Sequence, residues 1–93
     1  MYIIVNHYIK APQNFWALVR EKANDIPSHL IFHSSFPSKD LMKAVCVWEA
    51  DSIEAVKNYL DETFGDFSRN DYFEVNSGIA MGLPVQYRKT ASL

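Results

Sequence analysis

The chain has 93 residues, a single Cys, thirteen aromatic residues (six Phe, five Tyr, two Trp) and a formal charge of -2. These numbers describe one globular domain and exclude a disordered segment or an internal disulfide framework. Lys and Arg form no run, and Arg88-Lys89 is the only basic doublet, so a nucleic-acid footprint is absent.

Residues 2 to 9, YIIVNHYI, are rich in β-branched and aromatic types and predict a strand. Lys10-Ala11-Pro12 punctuates the chain, and Pro suits the first turn of a helix. From Pro12 to Asn24, Phe15, Trp16, Val19 and Ala23 recur at helical spacing. Pro27 ends that helix, because the residue before a proline avoids helical geometry. Ser28 to Phe36 reads as a second strand, residues 37 to 40 (PSKD) as a four-residue turn, and Leu41 to Ala50 as a third strand. Asp51 or Ser52 caps the second helix, and Glu54 gives a capping-box-like spacing from Asp51. Its apolar stripe is Ile53, Val56, Tyr59, Leu60 and Phe64, with Gly65 as the stop. Asp71 to Ala80 reads as a fourth strand, before Gly82 and Pro84 break the pattern. The domain is thus expected at 1–80, with 81–93 as a tail. In that tail Val85 and Tyr87 make either an extra edge strand or a frayed end.

The order strand, helix, strand, strand, helix, strand predicts a ferredoxin-like α+β fold, βαββαβ, with a four-stranded antiparallel sheet. Both helices fall on one face of such a sheet. Yet the first strand is apolar on both sides, with Ile3, Val5 and Ile9 alternating with Tyr2, Ile4 and Tyr8. An apolar face that two helices cannot cover marks an interaction surface. The expectation is a homodimer packed sheet against sheet. No apolar run approaches the roughly 20 residues of a membrane span. The first ten residues, MYIIVNHYIK, lack the charged leader and cleavage site of a signal peptide. A cytoplasmic protein, with neither a membrane nor a nucleic acid as partner, is expected.

The segment VCVWEADSIEAVKNYLDE (45–62), followed by YFEV (72–75), resembles the dimeric α/β-barrel superfamily of ferredoxin-like proteins over residues 1–80. It is most similar to a group of small barrels that includes a nickel-binding protein. More loosely it resembles cofactor-free antibiotic-biosynthesis monooxygenases and small lactone isomerases. The resemblance implies a homodimer with a cavity between sheet and helices in each subunit. Many members of these groups carry a His on the second helix where this chain has Tyr59, so chemistry resting on that His is not implied here.

Two constellations carry the functional expectations. Ala44, Cys46, Trp48 and Ala50 share one side of the third strand, three of them small. Either neighbouring side chains fill the space above them, as in any interdigitated core, or a ligand does. The pocket candidates are Asn6, Tyr8, Trp16, Cys46, Trp48 and Tyr59, with Asn76 as a further polar group. The second constellation is a metal trio. A loop at 37–40 places His33 opposite Ala44 with Cys46 two residues along, and one register of the first strand adds His7. Imidazole and thiolate together suit nickel, zinc or copper. His29 and His33 cannot share an ion, because four strand residues separate them by about 13 Å. The alternative for the trio is isolated polar residues, with Cys46 a small buried hydrophobe. Asp61, Glu62 and Asp66 read as a solvated helix end. Glu49 and Glu74 become general bases only if they are buried without partners. No catalytic motif is evident. The two functions expected are a small-ligand or metal-binding protein, and a cofactor-free monooxygenase or isomerase for a small aromatic or unsaturated compound.

Overall fold

The computed structural model describes residues 1–84. The elements run β1 (Tyr2–Ile9), α1 (Pro12–Lys22), β2 (Ile31–Pro37), β3 (Lys43–Glu49), α2 (Ile53–Phe64) and β4 (Ser68–Glu74). The four strands form one antiparallel sheet in the order β2-β3-β1-β4. This is the ferredoxin-like α+β arrangement. The expected edge strand at Val85 and Tyr87 lies outside the described residues.

Strand alternation sorts the sheet into two faces. On the helix side, Ile3, Val5, His7 and Ile9 of β1 are buried beside Ala44, Cys46 and Trp48 of β3. Burying these side chains with the helix stripe supplies the main stabilising force. α2 contributes Val56, Leu60 and Phe64, whereas Phe15 is the only fully buried side chain of α1. Ser52, rather than Asp51, caps α2 by accepting the Ala55 backbone N–H at 3.1 Å. Gly65 ends that helix, and a Cβ there would run into the Asp61 carbonyl oxygen.

Three boundaries differ from the sequence reading, each for a local reason. β2 begins at Ile31 because residues 27–30 turn, with the Leu30 N–H donating to the Pro27 carbonyl. β4 runs Ser68–Glu74 instead of Asp71–Ala80. Asn76 ends the extended run, because its side chain accepts the Gly78 N–H and its carbonyl accepts those of Ile79 and Ala80. The hairpin turn occupies 38–42, one residue longer than expected. There the Asp40 carboxylate accepts from the Ser38 hydroxyl and the Met42 N–H, and Leu41 sits at φ 66°.

That turn changes the pairing of β2. Pro37, not His33, lies opposite Ala44, and Ser35 lies opposite Cys46. A bulge between Phe32 and Ser34 then leaves His33 as the extra residue. Its imidazole turns to the outer face, where Nε2 meets Glu49 Oε1 at 2.9 Å and the ring lies 5.6 Å from that of Tyr2.

Candidate functional site

Between the helices and the β3 half of the sheet lies a cavity of about 130 Å³. Its buried lining comes from His7 on β1, Cys46 and Trp48 on β3, Phe15 on α1, and Leu60 and Phe64 on α2. Phe32 and Ser35 of β2 close one side. Trp16, Val19, Lys22, Ile26 and Tyr59 line it as half-exposed residues and form its mouth. The space follows from unequal packing. α2 sets three large side chains into the core, while α1 sets in one. Cys46 is the small residue of the row that borders the cavity. Ala44, paired with His7, is buried without lining it.

The polar groups beside this apolar space each have a definite state. Trp48 is 5% exposed, and its Nε1–H is buried with no hydrogen-bond partner among the described residues. The indole of Trp16, by contrast, donates to the Leu41 carbonyl at 3.0 Å. His7 Nδ1 lies 2.6 Å from Asn70 Oδ1. Asn70 Nδ2 donates to Asp61 Oδ1 at 3.1 Å, and its Oδ1 also accepts from Ser68 Oγ at 2.8 Å. A carboxylate only accepts, so it fixes which end of the Asn70 amide is nitrogen. The Asn70 oxygen then requires a proton on His7 Nδ1. The neutral imidazole therefore carries its lone pair on Nε2.

Burial lowers the His7 pKa, against opposing contributions from the Asn70 hydrogen bond and the Asp61 charge, and so favours this neutral form. Burial raises the Cys46 pKa, only partly offset by its contact to Ser35 Oγ at 3.5 Å. Cys46 is a buried thiol, not an activated thiolate. Burial and the Asp25 charge raise the Tyr59 pKa, leaving a neutral phenol at the mouth. Burial would raise the Asp61 pKa, but hydrogen bonds from Lys57, Tyr72 and Asn70 outweigh it and keep the carboxyl ionised. The Tyr72 hydroxyl, 2.6 Å from Asp61, is held protonated by burial and by that hydrogen bond.

The expected site residues divide between the faces. Trp16, Cys46, Trp48 and Tyr59 line the cavity. Asn6 and Tyr8 point to the outer face, where Asn6 pairs with Val45 and Asp71, and Tyr8 lies 4.1 Å beneath the Arg69 guanidinium. The metal trio is not assembled. His7 and Cys46 share the inner face, but the bulge sends His33 through to Glu49 on the other side. Among the described residues no group of three His, Cys, Asp or Glu side chains could hold a metal ion. Glu49 is not a lone buried base, since it pairs with His33. Asn76 caps its own turn, away from the cavity.

Asn70, Asp61, Phe32 and Ser35 enter the site without having been anticipated. The signal for Asn70 was its inward parity with Ser68 and Tyr72, which appears only once β4 is begun at Ser68. Asp61 belongs to what read as a solvated helix end, and it is instead the hub of three side-chain hydrogen bonds.

Fold and site together define a ferredoxin-like α+β domain with a small apolar cavity between helices and sheet. No family model matches the chain, and no curated protein or solved structure matches it either. No helix among the described residues is long and apolar enough to cross a membrane.

Proposed function

We propose that the protein binds a compact, mainly apolar small molecule in the helix–sheet cavity, as a homodimer associated through the outer sheet face. The observation that carries the binding reading is the apolar cavity of about 130 Å³ enclosed by both helices and the sheet. The size fits a small ring, since cavities of about 150 Å³ with apolar walls take up benzene. A single six-membered ring is the right scale for 130 Å³.

Support for the dimer comes from the outer face. Phe36 is 63% exposed, Phe73 50% and Val45 38%, beside the half-exposed Ile4 and Val47. The resemblance to dimeric barrels points the same way. A bound nickel or zinc is not part of the proposal, because His33 is turned away from His7 and Cys46.

Titration of acetophenone against intrinsic Trp fluorescence tests the binding reading. Saturable binding of acetophenone and of ethylbenzene is expected, and Cys46→Leu, which fills the space, should abolish both. Absence of saturable binding for both compounds up to millimolar concentration would sink the proposal.

A cofactor-free isomerase is a second reading, favoured by the hydrogen-bond chain that fixes the His7 lone pair. It predicts exchange of solvent deuterium into a ring enone such as 2-cyclohexenone. No exchange above buffer would dispose of it for this compound class.

A further inference from the structure

The cavity and its mouth differ in chemistry. The surface facing the space is almost wholly apolar. A carboxylate can only accept hydrogen bonds, and the interior offers it no free donor. Cys46 turns its thiol to Ser35, His7 commits its Nδ1–H to Asn70, and the Trp48 N–H is sealed from the space. A charged group carried inwards would lose its water without compensation. At the mouth stand Val19 and Lys22 of α1, Ile26 just after that helix, and Tyr59 of α2. Among the ionisable side chains of the lining, His7 is a neutral imidazole, Cys46 a thiol and Tyr59 a phenol. Lys22 is therefore the one charge that borders the cavity.

A lysine at an apolar edge lays its methylenes on the surface and keeps its ammonium in water. Because the surface facing the cavity is apolar, the stem of Lys22 forms part of the rim and the ammonium stands outside it. Lys22 is half-buried and makes no ion pair among the described residues. We infer that the cavity selects small arylalkanoic acids, with the ring inside and the carboxylate outside the mouth on the Lys22 ammonium. This rests on the small-molecule reading above and adds class and orientation to it. An amine in the same place would meet the like charge of Lys22. Two features oppose the anion. Asp25 is exposed and does not line the cavity, but its charge reaches the Tyr59 phenol. The last carbonyls of α1 also carry partial negative charge. Both reduce the attraction without reversing it, because Lys22 alone of the charged groups borders the mouth. Lys22 is thus the residue that sets the preference for an acid.

The test compares 3-phenylpropanoate with 3-phenylpropanamide by calorimetric titration at low salt. The two match in size and shape, and only the first is charged. The expected result is about threefold tighter binding of the acid, the scale of one exposed ion pair. The difference should shrink at about 0.5 M salt, where screening acts within a few ångströms. Lys22→Met keeps an unbranched apolar stem but removes the charge, and it should bring the two affinities together. Asp25→Asn removes the opposing charge and should widen the difference. An amide that binds the unaltered protein as tightly as the acid would overturn the inference while leaving the binding reading intact. So would a preference for the acid that survives in Lys22→Met. Failure of both compounds to bind would overturn the inference, and the binding reading with it if ethylbenzene also fails to bind.

Discussion

Replacing Cys46 by leucine tests the cavity by the sign of a stability change. The side chain gains two heavy atoms and exchanges a thiol for a branched hydrocarbon. If the space beside Cys46 is open, each added methylene-sized group buries for about 0.8 kcal/mol, or about 1.5 kcal/mol in all. The lost contact is the Cys46 Sγ to Ser35 Oγ approach at 3.5 Å, a weak donor at long range. It offsets about 0.5 kcal/mol, at the low end for a hydrogen bond. The net expectation is stabilisation by about 1 kcal/mol. For a domain of this size that raises Tm by about 4–8 °C. In a core already packed to native density, the same change would cost about 1–3 kcal/mol. Thermal unfolding followed by circular dichroism separates the two outcomes, with urea unfolding as a check that the m-value is unchanged. The variant should also lose ring-compound binding, because leucine occupies the ligand's volume. A Tm lowered by several degrees would refute the reasoning.

Trp48→Phe should leave the unliganded protein within about 1 kcal/mol of its starting stability, since losing part of a buried ring opposes removal of an unsatisfied N–H. Urea unfolding reads that difference. His7 has a lowered pKa in the folded state, so the unfolded chain binds the extra proton first. Its contribution to stability is complete above the unfolded value of about 6.5 and is lost as pH falls towards the folded value. The groups facing the ring are Asn70, the Phe15 ring and, further off, the Asp61 carboxylate, none of which titrates near pH 6. Urea unfolding between pH 7 and 5 should show this slope in the unaltered protein and a flatter one in His7→Gln. Asp61 has a depressed pKa, so its stabilisation persists above pH of about 4 and disappears below. Asp61→Asn should therefore destabilise at neutral pH and lose the acid-limb slope. Val45→Glu, on the outer face, should convert a dimeric mass to a monomeric one by light scattering. A monomeric mass for the unaltered protein at micromolar concentration would defeat the dimer proposal.

The element order was legible because helices and strands impose different periods on the apolar residues. Phe15, Val19 and Ala23 recur at helical spacing, whereas Ile3, Val5 and Ile9 alternate. Register was not legible, because it depends on single residues in turns. The turn lies at 38–42 instead of 37–40, which makes Pro37 rather than His33 the partner of Ala44, and the bulge then turns His33 to the opposite face. Parity alone separates Asn6 and Tyr8 from His7, since neighbours along a strand point to opposite sides. Trp16, Cys46, Trp48 and Tyr59 converge because each stands on the apolar side of its own element. The Asp61–Asn70–His7 chain left no trace in local pattern. Its members come from α2, β4 and β1, and only the β1–β4 pairing, which sets His7 opposite Asn70, joins them.

The most direct test of the binding account is the indole region of a proton–nitrogen correlation spectrum, recorded while acetophenone is added. The protein has two indole N–H groups, and both Trp16 and Trp48 line the cavity. The account predicts saturable shifts of both resonances as an aromatic ring packs beside the indoles. Two unmoved resonances at millimolar ligand would contradict it.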